Sequence, residues 1–158
     1  MGYVSKDEID KFAYDDCVVT SFAMDDKGIV LGLEALIVKA KNSQNTNYAD
    51  SYAGDAVCEL KAGKILSLIK EGYKYYDADD KLIDEVPDEE LAVDAAKLKA
   101  LFKEVYLISF VKEDDGNYKL EIEVGGEDPS DIADTYELTC SCDEVVISWT
   151  HYMNRVQN

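Results

Sequence analysis

A chain of 158 residues has the length of one domain and can bury a proper core. Eleven Tyr, four Phe and one Trp argue against disorder. Thirty-four acidic against sixteen basic residues leave a net charge of −18, a field that repels nucleic-acid phosphates and anionic lipid. It favours basic partners or bound cations, or plain solubility.

Met1 to Asp10 lacks the apolar stretch of a signal peptide, and no apolar run approaches a membrane span. The expected location is cytoplasmic, with the four Cys as thiols. Ile9 and Phe12 anchor a short lead-in with one helical turn. Tyr14 to Met24 reads as the first strand, being rich in Val, Thr and Phe. Asp25-Asp26-Lys27-Gly28 turns it, Gly supplying a positive φ. Ile29 to Val38 returns as a strand apolar on both faces, hence central and covered on both sides. Asn42 to Asp55 is a long polar connection, where function often sits. Ala56 to Lys61 and Lys64 to Asp77 read as a second hairpin about Ala62-Gly63. Its long second strand aligns Ile65, Ile69, Tyr73 and Tyr75 on one face. Asp77 to Lys81 reverses the chain, Leu82 to Val86 returns, and Pro87 ends this arm. Asp88 then caps a helix with Leu91, Ala95, Leu98 and Phe102 at helical spacing.

From Val105 the chain repeats itself. Ser21-Phe22 and the acidic turn ending in Gly28 recur as Ser109-Phe110 and the acidic turn ending in Gly116. Ala56 to Ile69 then lies against Tyr136 to Trp149 without a gap, with apolar agreement at Leu60/Cys140, Ile65/Val145, Leu66/Val146 and Ile69/Trp149. The connector Gly125 to Thr135 carries Pro129 and matches the Asn42–Asp55 loop; Asn154 to Asn158 is a polar tail. The expected architecture is a single domain over 1–158, mainly β within the α+β class. Two similar antiparallel hairpin-based units, 17–69 and 105–149, form a sandwich or open barrel. An arm and one amphipathic helix are inserted over 70–104. Phe22 and Phe110 are expected in equivalent buried positions.

No catalytic constellation can be located, and with thirty-four carboxylates a paired-carboxylate site is neither excluded nor placed by the sequence. Cys17, Cys58 and Cys140 stand where the other copy has Val105, Leu138 and Leu60, so they read as core residues rather than zinc ligands. His151, expected on the strand face of Trp149, has no nucleophile elbow to serve. Asp77-Ala78-Asp79-Asp80-Lys81 opens like a calcium loop, but Lys81 and Leu82 stand where an oxygen ligand and Gly are required. No phosphate loop or dinucleotide fingerprint occurs, and no catalytic, metal or cofactor residue is assigned. Tyr73, Tyr75 and Tyr76 form the candidate protein-binding surface.

The segment Ser67 to Asp79, followed by Glu85-Val86-Pro87-Asp88, and the ending Ser148 to Asn154 resemble an uncharacterised family of small acidic proteins of gut Firmicutes. Some members carry the label "subtilin biosynthesis sensor protein". A sensor kinase needs a membrane sensor, a phosphoacceptor His on a helical hairpin and a Gly-rich nucleotide domain, which these residues do not provide. The resemblance implies no catalytic or binding residues. The functional expectation is a small acidic cytoplasmic non-enzymatic protein-binding module. One alternative is an acidic immunity or inhibitor protein against a basic toxin or nuclease. Another is an enzyme with a carboxylate-based site.

Overall fold

The computed structural model describes residues 2–125 and 133–156. Strands β1 (Tyr3–Lys6) and β2 (Phe12–Ala13) flank a single 3-10 turn, Ile9–Lys11, in which Ile9 is buried. Then come β3 (Val18–Asp25), β4 (Gly28–Glu34), β5 (Ile37–Val38), β6 (Ser51–Gly54), β7 (Ala56–Lys61) and β8 (Lys64–Lys70). The arm consists of β9 (Tyr73–Tyr76) and β10 (Leu82–Val86). It is followed by β11 (Glu89–Leu91) and the helix α1 (Ala95–Leu101). The chain ends with β12 (Val105–Lys112), β13 (Tyr118–Val124), β14 (Asp134–Ser141), β15 (Glu144–Trp149) and β16 (His151–Arg155).

Ten strands form one antiparallel sheet in the order β1-β15-β7-β4-β3-β12-β13-β14-β8-β11, which remains open at β1 and β11. The protein is therefore mainly β with one helix, and the sheet is not a closed barrel. Its two halves, β15-β7-β4-β3 and β12-β13-β14-β8, share one hydrophobic core. Two short links require the sheet to fold over on itself. Ala62-Gly63 joins β7 to β8 and Cys142-Asp143 joins β14 to β15, yet neither pair of strands is hydrogen-bonded together. The expected hairpin of Ala56–Lys61 with Lys64–Asp77 is thus corrected. Strand β7 pairs with β4 and β15, and β8 pairs with β14 and β11.

The ladders of the two halves run in matching register. Phe22–Leu31 and Leu31–Cys58 in one correspond to Phe110–Leu120 and Leu120–Leu138 in the other. Both first hairpins break register at the same place, between Val19 and Ser21 and between Leu107 and Ser109. Phe22 and Phe110 are buried alike, at 2% and 3% exposure. The halves meet at β3 and β12 through only the pairs Val19–Val105 and Val18–Tyr106, extended by the Leu107 amide donating to the Cys17 carbonyl at 2.9 Å. The shift that carries Ser21 to Ser109 also carries Val18 to Tyr106, so these two residues face their own counterparts. Aromatic caps cross this junction. Phe102 packs 5.2 Å from Phe22, and Tyr14 packs 6.1 Å from Phe110.

Several sequence-based boundaries are corrected. Leu66 is an extra residue in β8, since Thr139 faces Ser67 and Cys140 faces Ile65. The bulge flips the alternation, so buried Leu68 rather than Ile69 faces Leu138, and Ile69 does not correspond to Trp149. The return strand Ile29–Val38 breaks at Ala35, whose φ is 58°, and β5 joins a second sheet ordered β16-β6-β5-β2. Val30 is exposed, so β4 is central but covered on one face only. The Asn42–Asp55 loop contains β6, with Asn42 and Ser51 buried. His151 and Asn154 belong to β16 rather than to a β15 continuation and a tail, because the chain changes sheet at Thr150. Trp149 is buried and His151 is exposed, so they do not share a face. Residues 126–132 of the second connector, including Pro129, lie outside the described residues.

The helix is also shorter than its apolar spacing suggests. Asp94 is the N-cap, accepting from the amides of Ala96 and Lys97 at 2.9 and 3.1 Å. Glu89–Leu91 instead pairs with β8, because Leu91 can cover its partly buried face there. Asp88 accepts from the Gly72 amide at 2.7 Å. Leu98 and Phe102 are fully buried and hold α1 against β3.

Candidate functional site

The expected long strand Lys64–Asp77 is broken at Glu71-Gly72, and this break creates the arm. A Cβ at Gly72 would run into the carbonyl oxygen of Val86 and the backbone of Pro87. Only glycine lets the two roots of the arm pinch together this closely. Beyond the pinch, β9 and β10 pair with each other and, among the described residues, with no third strand, and every residue in both is exposed.

The ladder distributes the arm's side chains. Tyr73 faces Val86 and Tyr75 faces Asp84, with the two Tyr rings edge to face at 4.9 Å. Tyr76 faces Leu82, and Lys74 faces Glu85 with a 3.8 Å ion pair. Directly opposed residues of an antiparallel pair share a face. Tyr73, Tyr75 and Val86 therefore occupy one face, and Tyr76 and Leu82 the other. Ile83 sits in the bulge between Leu82 and Asp84 and is 65% exposed. The structure brings Tyr73 and Tyr75 together and sends Tyr76 to the opposite side. Ile69 and Ile65, expected on the Tyr73 face, lie on the far side of the break.

The thiols are poorly placed for chemistry. Cys17, Cys58 and Cys140 are fully buried and Cys142 is half-buried, all as free thiols. Burial pushes Cys17 and Cys140 up to about 12 and Cys58 higher still; it pushes Cys142, beside Asp7 and Asp143, to about 11. A thiolate, the nucleophilic and metal-binding form, is disfavoured at all four. His151 contacts Thr150 Oγ1 through Nδ1 at 2.7 Å on the surface.

One carboxylate cluster, invisible in the sequence, is assembled by strand pairing. Glu121 and Glu137 face each other across β13 and β14, and Glu71 places its carboxylate within 4.8 Å of theirs. Burial first, then the carboxylates of Glu137 and Glu121, raises the Glu71 pKa. Lys119 approaches Glu137 at 2.7 Å and Glu121 at 3.5 Å. Lys119 thus pairs with two of the three carboxylates, which makes this an ion-pair cluster on the sheet face.

A hollow beside β12 likewise has no counterpart in the sequence reading. About 600 Å³ opens between the lead-in and β12, lined by Phe110 and Tyr118 with Tyr14 as a wall, and by Asp7, Asp10, Asp15, Lys39 and Lys112. Its sequence signal is the contrast between the two segments preceding the paired strands: a helix capped by Phe102 in one, and a single turn at Ile9–Lys11 ahead of Tyr14 in the other. Among the described residues, no helix is long and apolar enough to cross a membrane. No family model, curated protein or solved structure matches the chain.

Proposed function

We propose that this chain is a non-enzymatic, cytoplasmic protein-binding module whose contact surface is the β9–β10 arm. The carrying observation is a two-stranded arm that exposes Tyr73, Tyr75, Tyr76, Leu82 and Ile83 outside the main sheet. An isolated two-stranded ribbon is marginal in water. Large aromatic and aliphatic side chains displayed on such a ribbon supply contact area with few rotatable bonds, the composition favoured at interface centres. This reading keeps the chain with the small acidic proteins that its Ser67–Asp88 segment resembles. The decisive experiment is affinity capture from the native host with wild type and with a Tyr73→Ala/Tyr75→Ala variant whose fold is checked by circular dichroism. A specific partner retained by wild type and lost by the folded variant supports the arm. Equal capture by both overturns it.

The net charge of −18 favours a second reading, an acidic immunity or inhibitor protein directed at a basic toxin or nuclease. There the charge, rather than the Tyr residues, sets the association rate, so arm truncation leaves the on-rate unchanged.

A further inference from the structure

Among the described residues, the junction of the two halves leaves two strand edges without a strand neighbour. Beyond Val19, β3 has no β12 residue opposite it, and α1 lies against it with Phe102 on Phe22. Beyond Leu107, β12 likewise loses β3, because the chain before Cys17 turns away with the Cys17 amide donating to the Tyr14 carbonyl. The segment standing where α1 stands in the other half is the lead-in, whose helix is only three residues long. The Tyr14 hydroxyl donates to the Ile9 carbonyl at 2.8 Å, fixing the ring as a wall rather than a lid. The result is an open groove. The hollow over Phe110 and Tyr118 adjoins a second one of about 470 Å³, and the two share Tyr14, Asp15 and Ile108. Tyr106, Ile108 and Val111 are 58%, 44% and 45% exposed along it.

We propose that the β12 edge from Ile108 to Lys112 accepts an extended segment of a partner protein as an added strand. The segment seats one large apolar side chain over Phe110, beside the Tyr118 ring that the Lys112 ammonium overlies at 5.7 Å, and places basic residues against the acidic side of the rim. Three independent features select this occupant. An edge without a strand neighbour presents backbone donors and acceptors that an extended chain satisfies and a helix does not. The apolar floor beside the edge takes alternate side chains of such a strand. The groove's charges are Asp7, Asp10, Asp15 and Glu123 against Lys39 and Lys112, within a chain of net charge −18, so cationic flanks are attracted. This surface is separate from the β9–β10 arm and does not depend on it.

The test uses the intact protein and a fluorescein-labelled octapeptide with two lysines at each end around a Val-Phe-Val-Val centre. Two twins carry N-methyl groups on the amides of one edge or the other, and a third replaces the lysines by glutamates. Strand addition predicts amide shifts confined to Ile108–Lys112 and the Tyr14 wall in heteronuclear NMR. Anisotropy should show about tenfold weaker binding for one N-methyl twin only, and a comparable loss for the glutamate twin. Asp10→Lys and Ile108→Asp, both on exposed side chains, should weaken the parent peptide similarly while leaving the fold intact. The proposal is overturned if the peptide does not bind, if both N-methyl twins bind like the parent, or if the shifts fall on Tyr73–Val86. The wild-type footprint decides even where a variant misfolds.

Discussion

Cysteine behaviour in this protein is a matter of depth. Burial holds Cys17, Cys58 and Cys140 as protonated thiols, whereas Cys142 is half-exposed at the corner between β14 and β15. Brief alkylation at neutral pH, read by mass spectrometry, should label Cys142 first and leave the other three unmodified until the protein is unfolded. Rapid native labelling of Cys58 would contradict its burial. Phe22 and Phe110 should each cost about 3–5 kcal/mol when truncated to Ala, measured by denaturant unfolding, because each sits in the core beneath an aromatic cap. Glu71 makes an opposite kind of prediction. Its folded pKa is raised, so between the ordinary carboxyl value and that raised value the folded state holds a proton the unfolded state has released. Stability is lost as pH rises through this window and stays lower above it. Glu71→Gln should therefore raise the melting temperature at pH 7 and change it little at pH 4; no gain at pH 7 would refute the assignment.

Among the elements, the arm depends on Gly72 more than on any side chain of its own. Gly72→Ala should displace the root of β9 from Val86 and Pro87, speeding amide exchange across Tyr73–Val86 while the core strands keep their protection. Loss of protection throughout would mean that arm and core unfold together. The arm's turn and its Pro87 boundary were legible in the sequence because they rest on local turn chemistry. The hairpin of β3 and β4 was legible for the same reason, with Gly28 at φ 137°. What was illegible is non-local. Ala62-Gly63 looks like any hairpin turn, and only the competition of β14 for β8 and of β15 for β7 decides that the chain crosses between halves instead. The phase change at Leu66 is invisible for a related reason, since a bulge is defined by the partner strand. Leu91 kept helical spacing with Ala95 and Leu98, yet pairing of Glu89–Leu91 with β8 outweighed it. The exposed Tyr73, Tyr75 and Tyr76 could be picked from composition. The groove beside β12 could not, because it arises where a neighbour is missing.

At the scale of the whole molecule, the dominant quantity is charge. A net −18 gathered on one small protein implies self-repulsion that added salt relieves, as the Debye length falls from ~10 Å at 0.1 M to ~3 Å at 1 M. The melting temperature should therefore rise with sodium chloride over that range. The surface ion pairs, such as Lys70–Asp134 at 3.7 Å and Lys74–Glu85 at 3.8 Å, are too exposed to reverse the trend. Salt also separates the two readings of function. Binding through the arm buries Tyr73 and Tyr75 and should depend weakly on ionic strength while falling when either is truncated. Charge-steered capture of a basic toxin should show an on-rate that drops steeply with salt, and truncation of the arm should leave that rate unchanged. Stopped-flow association of a captured partner at two salt concentrations, with wild type and Tyr73→Ala, distinguishes the outcomes in four traces. Duplex DNA serves as the control. Its phosphates should be repelled at every ionic strength, and tight DNA binding at physiological salt would contradict both readings.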